Sequence, residues 1–149
     1  MGLVINQPSE ITLQDIFSEM NLDPIVFKGN RNVMTGGPVS IERGFVLHDS
    51  SVDTWQSSIP VTDFASLTAS REIITSLANE EGPNSFLMVL GYSGWAAGQL
   101  EQEINENAWL TVPTTTDILF NVPSAERYRH AVKLTGIDLS RLAPDAGHA

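Results

Sequence analysis

The sequence predicts a globular domain of the α/β type, in which short strands and amphipathic helices follow one another. Three observations support this prediction. The chain has 149 residues, of which 42% are hydrophobic, so it can bury a full core. Residues 86–90 (FLMVL) form an apolar run that is too short for a buried helix and is typical of a strand covered on both faces. Other apolar side chains recur at helical spacing.

Charge and composition exclude several classes of protein. The chain has 18 acidic and 8 basic residues, a net charge of -10, so we expect no direct DNA binding. Because it has no cysteine, disulfides, thiolate metal sites and cysteine nucleophiles are excluded. The start, MGLVINQPSE, has no basic targeting region, and no apolar run approaches the length of a membrane span. We therefore predict a cytoplasmic protein without membrane contact.

The first elements are a strand and a helix. Residues 2–5 (GLVI) predict a strand that ends at residues 6–8 (NQP). Thr12 predicts a helix N-cap, with Asp15 three residues later in the capping-box position. The helix extends to Asn21, and its inward face is predicted to be Leu13, Ile16, Phe17 and Met20.

The following segment contains short extended pieces. Residues 25–27 and 33–34 are brief apolar pieces, and residues 43–48 (RGFVLH) predict a strand. Two glycines at 36–37 precede a proline, which indicates unusual torsions or a close backbone approach. The proline within residues 59–61 restricts that piece to a sheet edge or a bend.

The central part of the chain combines a short helix, the apolar strand and a longer helix. Ser70 predicts the cap of a short helix whose inward residues are Ile73, Ile74 and Leu77. After the strand at 86–90, a helix is predicted from about Trp95 to Ala108. Its inward stripe is Ala96, Leu100, Ile104 and Ala108, and the shoulder of that stripe is Gln99, Glu103 and Asn107.

The last third is predicted to contain two extended pieces and a helix. Residues 109–112 and 118–120 are the extended pieces, separated by a threonine-rich turn. Pro123 and Ser124 open the final helix, which Gly136 ends. Its inward residues are predicted to be Ala125, Tyr128 and Val132.

The glycine turn at residues 91–94 lies between a strand and a helix, where a nucleophile elbow or a phosphate loop would lie. An elbow requires glycine two residues after the serine, and Trp95 occupies that position after Ser93. A phosphate loop requires a nearby lysine, which is absent. The motif therefore favours a packing turn, and Ser93 is not a predicted nucleophile.

Two polar sites allow more than one interpretation. Glu103 and Asn107 share a helix face and could bind a cation or a polar substrate. Alternatively, Glu103 pairs with Arg71 or Arg43, which we favour because an unpaired buried charge is costly. His48 lies beside Asp49 and could be a base oriented by a carboxylate, but a surface histidine is the favoured interpretation.

The basic residues of the last helix form one cluster, comprising Arg127, Arg129, His130 and Lys133. The cluster could contact an acidic partner or complement the negative end of the helix dipole. The three histidines share no metal-binding spacing, so no metal site and no cofactor are predicted.

Several motifs together resemble the AlgH/YqgE family of small bacterial proteins. They are Gly36-Gly37-Pro38-Val39, residues 43–48, Ser70-Arg71, Gly91-Tyr92-x-Gly94-Trp95-x-x-Gly98-Gln99-Leu100-Glu101-x-Glu103, Asn107-x-Trp109 and the tail at 146–149 (AGHA). The resemblance covers essentially the whole chain. It implies a single α+β domain over residues 1–149, with a mixed, partly barrel-like sheet surrounded by helices.

Members of that family are labelled uncharacterised proteins or candidate transcriptional regulators, after a role in alginate regulation. The resemblance supplies no catalytic residues. In the family, the segment that matches residues 2–6 follows a few dozen residues that supply further strands. We therefore expect this chain to be N-terminally short, with an exposed sheet edge that favours homo-oligomers.

The functional prediction is a non-catalytic cytoplasmic regulatory or binding protein that acts through an unidentified protein partner or small ligand. The alternative is a hydrolase or nucleotide-binding enzyme that uses the glycine loops at 36–37 and 91–94. The two are distinguished by whether the glycines, Arg43 and the helix shoulder converge on one pocket. The candidate ligand-binding residues are Gly36, Gly37, Arg43, Arg71, Tyr92, Trp95, Gln99, Glu103 and Asn107.

Overall fold

The computed structural model describes residues 1–23, 31–51 and 55–137. The chain forms two compact units, Met1–Trp95 and Ala96–Ala149, and each is described by itself. In the first unit the strands and helices are β1 (Pro8–Thr12), α1 (Leu13–Glu19), β2 (Asn32–Thr35), β3 (Val39–Asp49), β4 (Ser58–Thr62), β5 (Ala65–Thr68), α2 (Arg71–Ala78) and β6 (Phe86–Tyr92). In the second unit they are α3 (Gln99–Asn105), a π-helical segment (Asp117–Asn121) and α4 (Ser124–Leu134). The prediction of a single domain stays a prediction.

The six strands form one open sheet in the order β1-β2-β6-β3-β5-β4. β2 and β6 are parallel, and the other neighbouring pairs are antiparallel. The sheet is therefore mixed, which confirms the α+β class. The apolar run at 86–90 belongs to β6, in the interior of the sheet between β2 and β3. β4 is an edge strand, so the prediction that the proline-containing piece lies at an edge is confirmed.

The predicted strand at residues 2–5 is wrong. Gly2 forms only an isolated bridge with Ser93, and the first true strand begins at Pro8, where the sequence predicted an end. The backbone of the opening segment does find partners, because Val4 N–H donates to Gly36 O at 2.9 Å. A proline is tolerated as the first residue of an edge strand, since it has no N–H to donate.

The predicted helix caps of the first unit are confirmed. Thr12 Oγ1 accepts from Asp15 N at 3.3 Å, and Asp15 Oδ2 accepts from Thr12 N at 2.8 Å, which completes the capping box. Ser70 Oγ accepts from Ile73 N at 3.5 Å at the start of α2. These caps satisfy backbone donors that a helix cannot satisfy itself.

One face of the sheet packs against α1 and α2 to form the main core. Its most buried members are Leu13, Phe17, Val33, Val46, Ile73, Leu77 and Met88. The strand predicted at 43–48 is part of the longer β3, and the piece at 33–34 is part of β2. The sequence missed β5, whose four residues are all buried. The predicted piece at 25–27 lies outside the described residues.

Several predictions for the second unit are wrong. α3 has seven residues, and none of them is buried, so the predicted inward stripe does not form. Residues 109–112 form no strand, and residues 118–120 lie in the π-helical segment. α4 begins and ends as predicted, but Tyr128 is 61% exposed, and the buried residues are Arg127 and Val132.

Within the described parts of the chain, no helix combines the length and hydrophobicity needed to cross a bilayer.

Candidate functional site

The glycines at 36, 37 and 91 lie where two backbone segments touch. Gly36 N–H donates to Leu90 O at 2.8 Å, and a Cβ on Gly36 would lie 2.4 Å from Gly91 O. A Cβ on Gly37 would lie 2.3 Å from the carbonyl carbon of Tyr92. Gly91 also has a φ of 70°, which disfavours a side chain. The close approach of the two backbone segments therefore accounts for these glycines, and no bound ligand is needed to explain them.

Two predicted site residues, Arg43 and Tyr92, line one cleft of about 450 Å³, which we call the apolar cleft. The Arg43 guanidinium lies 5.3 Å from the centroid of the Phe45 ring, and that ring meets the Tyr92 ring edge-to-face at 5.9 Å. The remaining lining residues are Met1, Ser57, Ile59, Leu67 and Ala69. Among the described residues, the lining therefore contains aromatic and aliphatic side chains, one guanidinium and no carboxylate.

Arg71 and Trp95 have structural contacts within the first unit. Arg71 Nη2 donates to Met20 O at 3.0 Å, so it joins the start of α2 to the end of α1. A Cβ on Gly2 would lie 3.0 Å from the Trp95 ring, which shows how closely the indole packs on the opening segment.

Gln99 and Glu103 form a hydrogen-bonded cluster with Trp109 in the second unit. Gln99 Oε1 accepts from Ala96 N at 3.0 Å, and Gln99 Nε2 donates to Glu103 Oε1 at 2.9 Å. The other carboxylate oxygen of Glu103 accepts from Trp109 Nε1 at 2.7 Å. The pairing of Glu103 with Arg71 or Arg43 stays a prediction, as does the convergence of all candidate residues on one pocket.

Asn107 ends α3. Its φ is 58°, and its N–H donates to Ile104 O at 3.0 Å, while Ala108 N–H donates to Glu103 O at 2.9 Å. This pair of bonds is a Schellman motif, for which asparagine is a common substitute for glycine. The backbone conformation of Asn107 therefore accounts for its presence without a ligand.

His48 is buried, so the prediction of a surface histidine is wrong. It has 0% exposure, and its ring meets the Trp55 ring at 5.2 Å. His48 Nδ1 lies 2.7 Å from the backbone oxygen of Asp49, and Nε2 lies 2.8 Å from Thr68 Oγ1. Asp49 thus orients the ring through its carbonyl. The alternation of Val46 and His48 on one face of β3 was the signal for this burial.

The Asp49 carboxylate forms hydrogen bonds of its own, separate from the contact between the Asp49 carbonyl and His48. It accepts from the hydroxyl of Ser51 and from Ser85 N at 2.6 Å. Burial raises the pKa of Asp49, but these hydrogen bonds act in the opposite direction, and the net pKa lies below its usual value. The carboxylate therefore joins β3 to the segment before β6.

The basic cluster predicted on the last helix is divided between the interior and the surface. Arg127 is 6% exposed, and its Nε donates to Ile118 O at 3.1 Å. Burial lowers the pKa of Arg127. His130 instead lies 3.7 Å from Glu126 one turn away, and Arg129 is exposed. Across the described ranges, no three His, Asp or Glu side chains are grouped closely enough to hold a metal ion.

These features define an α+β protein with an open mixed sheet, a glycine-dependent contact between parallel strands and ligand-sized clefts. The family model described as AlgH-like (DUF179) matches residues 1–140. The chain therefore belongs to the AlgH-like family.

Bacterial relatives agree with this assignment. The UPF0301 protein of Thioalkalivibrio sulfidiphilus is 48% identical over 149 residues, which is 100% of this chain and 80% of that protein. The UPF0301 protein of Saccharophagus degradans is 46% identical over 149 residues, which is 100% of this chain and 73% of that protein. The solution structure of the AlgH protein from Pseudomonas aeruginosa is 40% identical, with a TM-score of 0.75 over 100% of this chain and 79% of that one. A Corynebacterium diphtheriae protein, 19% identical with a TM-score of 0.59 over 81% of this chain and 62% of its own, shares the fold alone.

Proposed function

We propose that this protein is a non-catalytic regulatory or binding protein of the bacterial cytoplasm, and that the apolar cleft is its ligand site. The ligand would carry one anionic group on an apolar body. We also propose that the ligand regulates the protein and that the protein self-associates. We do not propose direct binding to duplex DNA, because the net charge of -10 opposes it.

The observation that supports this proposal is one arginine side chain in the cleft, where the other described lining residues have uncharged side chains. The cleft of about 450 Å³ lies within the size range of small-molecule sites. Ile59, on its wall, is 62% exposed and offers apolar surface to a ligand. The guanidinium of Arg43 lies over the Phe45 ring, and its N–H groups are of the kind that bind a carboxylate or phosphate group.

No observation favours the alternative of an enzyme that uses the two glycine loops. Gly36 N–H donates to Leu90 O, and Ser93 N–H donates to Gly2 O, so these two donors are already used. The glycines themselves are explained by the close approach of the two backbone segments. A phosphate loop would instead leave N–H groups open to a ligand.

Octanoate and octanamide, which share one apolar chain, provide the test. We expect octanoate to bind more tightly and to shift the NMR resonances of Arg43, Phe45 and Leu67. Arg43→Gln should weaken octanoate binding about tenfold or more, since a charge-assisted hydrogen bond contributes about 1.5–3 kcal/mol. Arg129→Gln is the matched control, because Arg129 is exposed on α4. Equal binding of acid and amide, or equal effects of the two variants, would contradict the proposal.

A further inference from the structure

A second cleft, which we call the hydroxyl cleft, lies on the face of the sheet that carries the main core. It encloses about 470 Å³ and is lined by Ser50, Ser58 and Ser66, with Trp55, Thr62 and Asp63 around them. The Oγ atoms of Ser50 and Ser66 lie 3.1 Å apart. Among the lining residues the charged side chain is that of Asp63, which is exposed.

The strand register places these hydroxyls where apolar side chains would be expected. Ser58 is opposite Thr68, and Thr68 is opposite Val46, which belongs to the main core. Ser66 is opposite His48 in the same way. Because paired residues of neighbouring strands project from the same face, the polar groups continue the core face at its β4–β5 end. Buried hydroxyls there give the fold no hydrophobic stabilisation.

A chain of short contacts links the cleft to the buried histidine. Ser58 Oγ lies 2.6 Å from Thr68 Oγ1, which lies 2.8 Å from His48 Nε2. Ser58 Oγ is also 3.0 Å from the backbone oxygen of Trp55. His48 and Thr68 are both completely buried, so water does not intervene along their contact.

Counting hydrogens fixes the direction of this chain. The backbone oxygen of Asp49 can only accept, so His48 Nδ1 carries a hydrogen. In the neutral ring, Nε2 then has none and accepts from the Thr68 hydroxyl. An oxygen–oxygen distance of 2.6 Å requires a hydrogen between the two atoms, and Ser58 must supply it. Both lone pairs of Ser58 Oγ are then available as acceptors for a ligand.

A hydrogen on Nε2 of His48 would reverse each bond. Nε2–H donates to Thr68, Thr68 donates to Ser58, and Ser58 donates to the Trp55 carbonyl. Ser58 then uses one of its lone pairs inside the chain and loses half of its capacity to accept from a ligand. The position of the hydrogen on His48 therefore determines how many lone pairs Ser58 Oγ can offer to a ligand in the cleft.

We propose that the hydroxyl cleft binds a small, uncharged, polyhydroxylated molecule, and that His48 acts as a positioning residue that orients the Ser58 hydroxyl. Among the described lining residues there is no cationic side chain for an anion, and the carboxylate of Asp63 is exposed, where it would hold a cation only weakly. Hydroxyls both donate and accept, which suits a ligand that does the same. This inference is independent of the proposed function.

Glucose and glucuronate provide matched probes of one ring, the second with a carboxylate. We expect glucose to shift the amide resonances of Ser58 and Ser66, with a dissociation constant on the order of 1–10 mM at this ligand size. Glucuronate should bind at least fivefold more weakly. Ser58→Ala should weaken glucose binding at least fivefold, whereas Thr111→Val, a change at an exposed hydroxyl in the second unit, should leave it unchanged.

The histidine supplies a readout that a purely structural role would not change. Long-range ¹H–¹⁵N spectra of the wild-type protein should show the neutral His48 ring with its hydrogen on Nδ1. Thr68→Val should weaken glucose binding, because it breaks the chain that orients the Ser58 hydroxyl.

Four results would overturn the proposal. They are an Nε2–H tautomer, no glucose binding at 50-fold the concentration expected for half-saturation, glucuronate binding equal to glucose, and an unchanged affinity in Ser58→Ala. If Thr68→Val fails to fold, the wild-type tautomer and the Ser58→Ala affinity still decide the question.

Discussion

Replacing Glu103 with glutamine tests the carboxylate that joins two other side chains in the second unit. Its two oxygens accept from Gln99 Nε2 at 2.9 Å and from Trp109 Nε1 at 2.7 Å. Glutamine preserves the size of the side chain but replaces one acceptor oxygen with an NH₂ donor. One of the two existing donors would then face another donor, so at least one hydrogen bond is lost.

The magnitude follows from burial and charge. Glu103 is half-buried, and losing a hydrogen bond to a charged acceptor there costs about 1–3 kcal/mol. Glu106→Gln is the control, because Glu106 is exposed and its carboxylate accepts from Gln102 Nε2 at 2.8 Å, the one side-chain hydrogen bond it forms among the described residues. An exposed pair of this kind contributes about 0.2–0.5 kcal/mol. Since 1 kcal/mol shifts Tm by about 2–4 °C at this chain length, the difference is measurable.

The assay is urea unfolding of both variants, followed by tryptophan fluorescence and by the NMR resonance of Trp109 Nε1–H. A double-mutant cycle with Trp109→Phe isolates the Glu103–Trp109 bond, and we expect a coupling of about 0.5–3 kcal/mol. Equal losses of stability in Glu103→Gln and Glu106→Gln would refute the reasoning, and so would a coupling near zero.

Two further predictions concern the first unit. Gly36→Ala places a Cβ 2.4 Å from Gly91 O and should lower the free energy of unfolding by about 2 kcal/mol or more. Gly94→Ala is the control: its Cβ would lie 3.7 Å from the Tyr92 ring, and it should lower the free energy of unfolding by less than about 1 kcal/mol. Similar urea midpoints for the two variants would contradict this prediction. The side chain of Thr12, and then its backbone N–H, lower the pKa of Asp15, so their stabilising effect is present above the unfolded-state pKa and is lost as pH falls through the folded-state pKa. Thr12→Ala should therefore flatten the acid-induced fall of Tm below about pH 4, and an unchanged slope would count against the capping box.

Local signals in the sequence predicted much of the fold. The caps at Thr12 and Ser70 were correct because capping depends on residues within one turn. The strands at 43–48 and 86–90 were correct because apolar runs of that length suit a sheet interior. Residues 118–120 were predicted wrongly as extended, because their apolar and aromatic character favours strands while the structure holds them in a π-helical segment.

The candidate site was predictable only in part, because it depends on which distant residues pack against each helix and strand. Periodicity correctly placed Gln99 and Glu103 on one helix face but could not show that the apolar stripe beside them is not buried. A histidine at a strand end has the same sequence whether its neighbour is water or an indole ring, so the burial of His48 beneath Trp55 was missed. The four-residue β5 was missed because half of its side chains are hydroxyls.

The strand order has a consequence for how the protein is made. β2 pairs with β1 and β6, and β3 pairs with β5 and β6, so β6 is the link between the two parts of the sheet. While the chain is synthesised, the β1–β2 pair and the group of β3, β4 and β5 can each form, but they have no strand between them until residues 86–92 emerge. Joining distant segments late slows folding and prolongs exposure of unpaired strand edges. A nascent chain that stalls before residue 86 would present two such edges to its neighbours at once.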